Sequence, residues 1–319
     1  MDVVAAPQTK ESDPEMSANQ GRFAPDRGLT ARMLLTLFLL GLLYVGFMAA
    51  LVVLLRSWIA VVLIAAGLLA AQYWFSDRIA LFALHAHEVS AEEQPQLHGL
   101  VDRLCTMADL PKPRIAVAET DLPNAFATGR SADHAVLCVT TGLLRRLEAD
   151  ELEGVVAHEL SHLAHRDVAV ITVASFLGVL AGLLVRFAFY SQLLRGRRDP
   201  TSAALIGAVV GVSAGVYVIS FLLIRSLSRY RELAADRSAA QLTGRPSALA
   251  SALTKVSGEI ARIPDKDLRT TQPFNAFLFT PADGKGGPGV MRLFSTHPSL
   301  ERRLEELAKI SSNLNQPVA

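Results

Sequence analysis

The residues with the clearest chemical potential form a short run, His158-Glu159-Leu160-Ser161-His162, inside an apolar, helix-forming stretch. Two histidines four positions apart on a helix are separated by about 6 Å of rise and project from the same face. That spacing suits two imidazole nitrogens bound to one zinc ion at about 2.0–2.1 Å each. Glu159 is rotated off the ligand axis, where it can reach a metal-bound water without binding the metal. This HExxH pattern is typical of zinc peptidases, in which the glutamate is the general base.

A catalytic zinc site keeps three protein ligands and one open position, so a third ligand has to lie elsewhere in the chain. His165 lies seven residues after His158, about 10 Å along a helix axis, which is too far to share one ion. Glu232 and Asp236 are again four positions apart on one face of a predicted helix, so that Glu232 can bind zinc while Asp236 hydrogen-bonds a ligand histidine. The alternative is a solvated face on which both acids pair with neighbouring arginines. Because the acids follow an HExxH motif, the ligand interpretation is favoured.

Four landmarks, in this order, are similar to those of the HtpX-like membrane metallopeptidases, relatives of the CAAX prenyl proteases among the gluzincins. The landmarks are Pro123–Gly129, His158–His162, the pattern Tyr-Arg-Glu-x-x-Ala-Asp at 230–236, and Ser-Thr-His-Pro at 295–298. The resemblance covers most of the chain, from about residue 30 to residue 308. It implies one zinc ion per chain and a role in the quality control of misfolded membrane proteins. The residues that it assigns to the site are the ligands His158, His162 and Glu232, the base Glu159, and the lining residues His297 and Arg303.

The composition favours a membrane protein. The 319-residue chain has 51% apolar residues and a mean hydropathy of +0.32. A formal net charge of +1, without a basic patch interleaved with aromatic residues, gives no support for nucleic-acid binding. Cys105 and Cys138 are far apart and lie in apolar patterns, so we expect buried thiols in a reducing compartment and no disulfide framework.

Four apolar runs are candidates for membrane spans. Residues 33–55 contain no charge and are long enough to cross about 30 Å of hydrocarbon, which takes roughly 20 helical residues. A short connection leads into 58–75, so the two runs predict a helical hairpin that anchors the chain. Two more runs, 168–190 and 203–225, lie between the HExxH motif and Glu232, and they place the catalytic centre at or near the bilayer surface. The alternative for this second pair is a set of buried core helices in a soluble domain.

Basic residues before the first run favour a cytoplasmic N-terminus, because positively charged flanks tend to remain inside. With four spans, residues 76–167 and 226–319 also face the cytoplasm, whereas the arginine cluster at 195–198 lies outside, against the same tendency. Either the first pair dominates insertion or 168–225 does not fully span the membrane. The resemblance implies cytoplasmic catalysis. We therefore expect a multi-pass protein of the cell (inner) membrane with a cytoplasmic catalytic domain.

The remaining segments predict a small domain of helices and strands. Apolar spacing predicts an amphipathic helix over 90–108, with a capping box formed by Ser90 and Glu93. Asp150 and Glu153 are predicted to cap the helix that carries the HExxH motif. Strands are predicted around 115–117, 124–130 and 134–140.

The second of these strands is a candidate substrate-binding element. In zinc peptidases of this type, an edge strand beside the metal pairs with the extended backbone of the substrate. The candidate substrate-binding residues are Asn124, Ala125, Phe126 and Ala127. The alternative is an edge strand with a structural role only.

The last landmark suggests a second catalytic side chain. His297 precedes Pro298, which is predicted to be the first residue of the final helix, so the imidazole is held with little freedom. An N–H group there could donate to the oxyanion of the transition state, with Arg303 supporting the substrate or the charged state. The alternative is that His297 only caps its helix. The glycine-rich run at 284–289 predicts a flexible loop that acts either as a lid or as a linker.

Together these features predict an α+β, mostly helical, multi-pass membrane protein with a zincin-like catalytic domain of active-site helices and a small β-sheet. The predicted segments are a disordered N-terminus (1–30), a transmembrane hairpin (31–76), a catalytic domain in two parts (77–167 and 226–308), a second apolar pair between them (168–225), and a tail (309–319). The predicted activity is zinc-dependent hydrolysis of peptide bonds in protein substrates, mainly membrane proteins, at the lipid bilayer. One alternative is a catalytically silent scaffold, against which the intact Glu159 argues. The other is a zinc transporter or sensor, although the first two apolar runs lack the ionisable residues that transport requires.

Overall fold

The computed structural model of the chain describes residues 27–55, 58–129, 131, 134–165, 180, 200–260 and 297–314. The predictions for the apolar run 168–190 and for the glycine-rich loop at 284–289 lie outside the described residues, apart from residue 180. Most of the predicted disordered segment lies outside them as well. Its last residues, 27–30, instead begin a helix, because Leu29 buries its side chain against Leu227.

The described residues form helices at both ends of the chain and a small sheet between them. In chain order the helices are α1 (Arg27–Leu55), α2 (Trp58–Ala83), α3 (Pro95–Ala108), α4 (Thr141–Arg146), α5 (Ala149–Ala164), α6 (Pro200–Thr243), α7 (Pro246–Ile260) and α8 (Leu300–Leu314). The strands are β1 (Ala86–Glu88), β2 (Arg114–Ala118), β3 (Ala125–Thr128) and β4 (Val136–Thr140). The mostly helical α+β fold predicted from the sequence is therefore confirmed.

Two stretches of the described chain are long and apolar enough to cross a membrane, namely Arg27–Val52 in α1 and Ile206–Thr243 in α6. The two helices pack on each other through an apolar cluster that includes Phe47 and Val216. Helix α6 has 44 residues and continues without a break from its apolar part into the segment that carries Glu232. The predicted direct connection between an apolar run and the catalytic segment is present in this helix.

The sheet has the strand order β1-β2-β4-β3. Strands β2 and β4 are parallel, whereas β1 and β3 are antiparallel to their neighbours. The predictions of β2, β3 and β4 are confirmed, although β2 is longer than predicted and β3 and β4 are shorter. Strand β1 is not predicted, because the sequence Ala-His-Glu shows no apolar alternation.

Alternation along the strands gives the sheet two apolar faces. One face packs in the main core with α5, and the other packs on the end of α2 through Leu81 and Leu84. Cys105 and Cys138 are both buried and not in a disulfide, as predicted. Burial raises the pKa of the Cys105 thiol to about 11 and that of the Cys138 thiol to about 12, so both stay protonated at neutral pH.

Helix α5, which carries the HExxH motif, is buried along most of its length. It packs against α6, α7 and β3, while α8 packs across both α6 and α7. Gly154 permits the close approach of α7, since a Cβ at this position would lie 3.2 Å from Cα of Leu249. This packing brings the chain around Glu232 against the HExxH helix, while α8 lies against α6 and α7.

The predicted start of α5 is wrong in its capping residues. Glu148 and Glu151 form the capping box, in which the Glu151 carboxylate accepts from the backbone N–H of Glu148 at 2.9 Å. The predicted capping residues have other partners, because Asp150 and Glu153 both form ion pairs with Arg245. The N-cap of the helix is therefore Glu148, two residues before the predicted N-cap Asp150.

The predicted start of the amphipathic helix is wrong as well. Ser90 and Glu93 make both reciprocal capping-box bonds, but they close a turn, and helix α3 begins only at Pro95. Proline lacks an N–H and is tolerated in the first helical turn but not further inside a helix. Pro95 therefore sets the start of α3 at the proline instead of at Ser90.

Candidate metal centre

His158 and His162 on α5 and Glu232 on α6 lie close enough to hold one ion. Nε2 of His158 is 3.6 Å from one carboxylate oxygen of Glu232, and Nε2 of His162 is 3.6 Å from the other. Two ligand atoms bound to zinc at about 2.1 Å in tetrahedral geometry would be about 3.4 Å apart. Candidate ligand atoms of all three residues lie within 4.8 Å of one another, and all three side chains are buried. The donor set of two nitrogens and one oxygen therefore fits zinc.

The approach of the two helices depends on small side chains. Four alanines on α6 next to the acidic residues are buried, at 0–3% exposure: Ala234, Ala235, Ala239 and Ala240. Ala239 and Ala240 lie in the same apolar core as α5 and leave space for it to pack closely against α6, whereas Ala234 packs against Leu29 of α1. The four-residue spacing within each helix then directs His158 and His162 from one side, and Glu232 with Asp236 from the other, toward the same point.

Asp236 contacts His158 at Nδ1, the ring nitrogen that does not face Glu232. Its Oδ1 lies 3.0 Å from Nδ1 of His158, and both side chains are buried. A carboxylate at Nδ1 favours the tautomer that carries its proton there, which leaves the lone pair of Nε2 for a metal. The structure thus places Asp236 where a partner of a ligand histidine would be expected.

Glu159 is buried but stands apart from the three candidate ligands. Its Oε2 accepts a hydrogen bond from the backbone N–H of Ala127 in β3, at 3.0 Å. Burial raises the pKa of the Glu159 carboxyl, and the nearby His158 and His162 offset only part of this rise. A carboxylate with a raised pKa accepts a proton more readily, which suits a general base.

Strand β3 is an edge strand of the sheet that the described residues form. The backbone N–H of Asn124 donates to the Thr140 hydroxyl and its carbonyl accepts from the Thr140 N–H, both at 2.9 Å. Because alternate residues of a strand direct their backbone groups to opposite edges, Asn124 and Phe126 face β4, whereas Ala125 and Ala127 face away from it. Of the four predicted substrate-binding residues, only these two alanines offer backbone groups on the outer edge.

His297 is brought to the site, but its local structure differs from the prediction. Nδ1 of His297 lies 3.3 Å from Oε2 of Glu232, and the side chain is buried. Helix α8 begins at Leu300, and the Ser299 hydroxyl accepts from a backbone N–H of its first turn. Pro298 therefore precedes the helix, and His297 does not cap it. The physical reason is that a residue before proline is restricted to extended backbone, whereas serine is a favourable cap.

The resemblance implies that Arg303 lines the site. In the structure, Asp236 lies between Arg303 and the candidate ligand His158. Nε and Nη2 of Arg303 donate to the two carboxylate oxygens of Asp236, each at 2.7 Å. Both side chains are 1% exposed. Arg303 therefore reaches the candidate metal ligands through Asp236.

Two further contacts were missed by reasoning from sequence. One is the backbone N–H of Ala127 at Glu159, which no side-chain pattern encodes. The other is Arg231, whose Nη2 lies 3.5 Å from Nδ1 of His162 inside the protein. A signal for Arg231 existed in its position directly before the candidate ligand Glu232. His165 is not part of the candidate site, and its Nδ1 is 2.8 Å from the carbonyl oxygen of Ser161.

Comparison with known proteins agrees with this geometry. Residues 91–311 match the model of peptidase family M48. "Protease HtpX homolog 1" of Streptomyces coelicolor is 69% identical over 300 residues, which cover 94% of this chain and 98% of that protein. "Protease HtpX homolog" of Moorella thermoacetica is 50% identical over 292 residues, which cover 91% of this chain and 97% of that protein.

The fold has a counterpart among solved structures. The crystal structure of S. mikatae Ste24p aligns with a TM-score of 0.52 at 18% identity, covering 88% of this chain and 67% of that one. This likeness supports the fold, while the family model and the close relatives identify the protein's class. The chain belongs to peptidase family M48, and it is a metalloprotease of the HtpX type.

Proposed function

We propose that the chain is a zinc-dependent endopeptidase of the cell membrane with one zinc ion per chain. The proposed ligands are His158, His162 and Glu232, and the proposed general base is Glu159. The observation that carries the proposal is the pair of 3.6 Å separations between the two Nε2 atoms and the Glu232 carboxylate. Zinc bound there would supply a Lewis acid that polarises the scissile carbonyl and lowers the pKa of the attacking water.

Glu159 moves the proton in this proposal. It accepts a proton from the attacking water and then passes it to the nitrogen of the leaving amine. The N–H of Ala127 holds Oε2 of the carboxylate at 3.0 Å, which leaves Oε1 for the proton. The bond to β3 thereby fixes the carboxylate beside the histidines without making it a ligand.

The proposed substrate-binding element is the outer edge of β3. An extended substrate segment would add to this edge by backbone hydrogen bonds, with Ala125 offering both its N–H and its carbonyl. Ala127 offers its carbonyl, since its N–H is bonded to Glu159. The scissile bond is thereby proposed to lie next to the general base.

His297 is proposed to donate to the oxyanion of the transition state. Its Nδ1 faces Glu232 at 3.3 Å, so the donor for the oxyanion would be Nε2. We expect His297→Ala to keep its zinc and its fold while kcat falls by about 10²–10³-fold, with little change in KM. Steady-state kinetics combined with metal analysis measures this.

His165→Ala is the matched control, since His165 is bonded to Ser161 away from the site and should keep normal kinetics. A His297→Ala protein with normal kcat and only a lowered Tm would contradict the catalytic role. Loss of zinc from His297→Ala would show instead that the contact with Glu232 holds a ligand in place.

The proposed location is the cell membrane, with both termini and residues 76–167 in the cytoplasm. The two long apolar stretches in α1 and α6 support membrane insertion. We expect cysteines introduced at Gln20, Ser90 and Ser312 to resist a membrane-impermeant thiol reagent in intact cells and to react after lysis. The native thiols should not interfere, because Cys105 and Cys138 are buried and have raised pKa values.

A cysteine at Arg197, in the arginine cluster expected outside, is the positive control for this labelling. Modification of the cysteine at position 90 in intact cells would overturn the proposed orientation. The arginine cluster would then be an ordinary cytoplasmic loop.

The proposed substrates are membrane proteins, mainly misfolded ones. Comparing the peptide fragments in membranes from cells that express the wild type or Glu159→Gln tests this directly. The proposal requires fragments of membrane proteins that appear with the wild type only. Identical fragment sets would favour a silent scaffold, and zinc flux without cleavage would favour a transporter.

A further inference from the structure

A fully buried ion pair in the described part of the chain lies outside the set of candidate ligands. Arg303 on α8 and Asp236 on α6 are each 1% exposed and are joined by two hydrogen bonds of 2.7 Å. The same carboxylate oxygen, Oδ1, receives Nη2 of Arg303 and lies 3.0 Å from Nδ1 of His158. A continuous contact therefore runs from the C-terminal helix to a candidate zinc ligand.

The geometry of this contact restricts rotation of the carboxylate. A carboxylate held at both oxygens by the planar fork of a guanidinium cannot rotate without breaking a bond. Oδ1 of Asp236 is thereby fixed in the direction of Nδ1 of His158. Because the site is buried, the charge of Asp236 would also be uncompensated on this side without Arg303.

We propose that Arg303 is a positioning residue of the metal centre, which orients the His158 ring by holding Asp236. This inference rests on the zinc site proposed above and assigns the C-terminal helix α8 a place in that site. Arg303 does not touch the substrate or the reacting atoms in this role. It acts on the metal only through Asp236 and His158.

A purely structural role makes a different prediction. If the ion pair only attached α8 to α6, its loss would lower Tm and leave the intrinsic zinc affinity of the folded protein unchanged. If it positions His158, its loss would weaken zinc binding in protein that is still folded. Zinc affinity, measured by competition with a chelator of known affinity, separates the two roles.

The variants for this test are Arg303→Gln and Arg303→Lys, with Arg302→Gln as the matched control. Arg302 is the neighbouring arginine on the same helix, and its side chain is exposed. We expect both Arg303 variants to bind zinc about 10- to 100-fold more weakly, as is typical for partners behind a ligand histidine. Lysine retains the charge but cannot bind both carboxylate oxygens of Asp236 as the guanidinium does. Zinc affinity is therefore measured on Arg303→Lys if Arg303→Gln does not fold. Arg302→Gln should match the wild type.

A double-mutant cycle with Asp236→Asn shows whether Arg303 acts through Asp236. We expect Arg303→Gln to change zinc affinity little in the Asp236→Asn background, because the link to His158 is already broken. The absorption spectrum of cobalt-substituted protein should change in the same way in Asp236→Asn and Arg303→Gln.

Unchanged zinc affinity in both Arg303 variants, or fully additive effects with Asp236→Asn, would overturn the inference and leave the proposed function intact. Absence of zinc binding in the wild type would overturn both, so the two failures are distinguishable.

Discussion

Glu159→Gln is expected to lower kcat by about 10⁴-fold, the upper end of the range for general acid–base catalysis, while the zinc content stays at the wild-type value. The substituted amide has the shape of the carboxylate, and its oxygen can still accept the hydrogen bond from Ala127 that the structure shows at 3.0 Å. It cannot take the proton from the attacking water or deliver it to the leaving amine. Both proton transfers depend on this one side chain, so the effect is large.

Glu153→Gln is the matched control for this substitution. Glu153 is a buried glutamate on the same helix, and it pairs with Arg103 and Arg245 instead of facing the histidines. Its substitution should leave kcat close to the wild-type value. Loss of zinc from Glu159→Gln would mean that Glu159 is a ligand, and full activity would mean that another group is the base.

Removal of any one of the three proposed ligands is expected to deplete the metal. Each supplies one of the donors at the 3.6 Å separations that fit zinc, and two remaining ligands do not form the three-ligand site that catalytic zinc requires. Metal analysis of purified His158→Ala, His162→Ala and Glu232→Ala should therefore give much less than one zinc per chain, with no detectable cleavage.

His165→Ala provides the comparison for these ligand variants. It removes a histidine from the same stretch of sequence that lies outside the candidate metal group, so its zinc content should equal that of the wild type. Depletion of zinc in His165→Ala, with normal zinc in Glu232→Ala, would show that the wrong third ligand has been assigned.

The convergence of the candidate ligands was predictable because it depends on local periodicity. Helical spacing of four places His158 with His162, and Glu232 with Asp236, on common faces whatever the rest of the fold does. The alanines after Glu232 indicate close helix packing, which the structure shows. The edge position of β3 was also within reach, because the apolar strands and the turn between them are visible in the sequence.

The contacts between distant segments were not predictable in the same way. Arg303 bonds to Asp236 only because α8 packs across α6, and no spacing within either helix encodes that crossing. The bond from Ala127 to Glu159 uses a backbone N–H, so the residue type carries no signal for it. The N-cap of α5 is Glu148 and not the predicted Asp150, because the helix begins two residues earlier than the sequence pattern indicates.

The central claim is tested most directly by titrating the chelator-treated wild-type protein with zinc while following cleavage of a fluorescently labelled, unfolded polypeptide such as casein. The donor geometry at His158, His162 and Glu232 predicts that cleavage is absent without metal, rises with added zinc and reaches its maximum at one zinc per chain. Full cleavage by the metal-free protein, or no cleavage at any zinc occupancy, would contradict the assignment of this chain as a zinc endopeptidase.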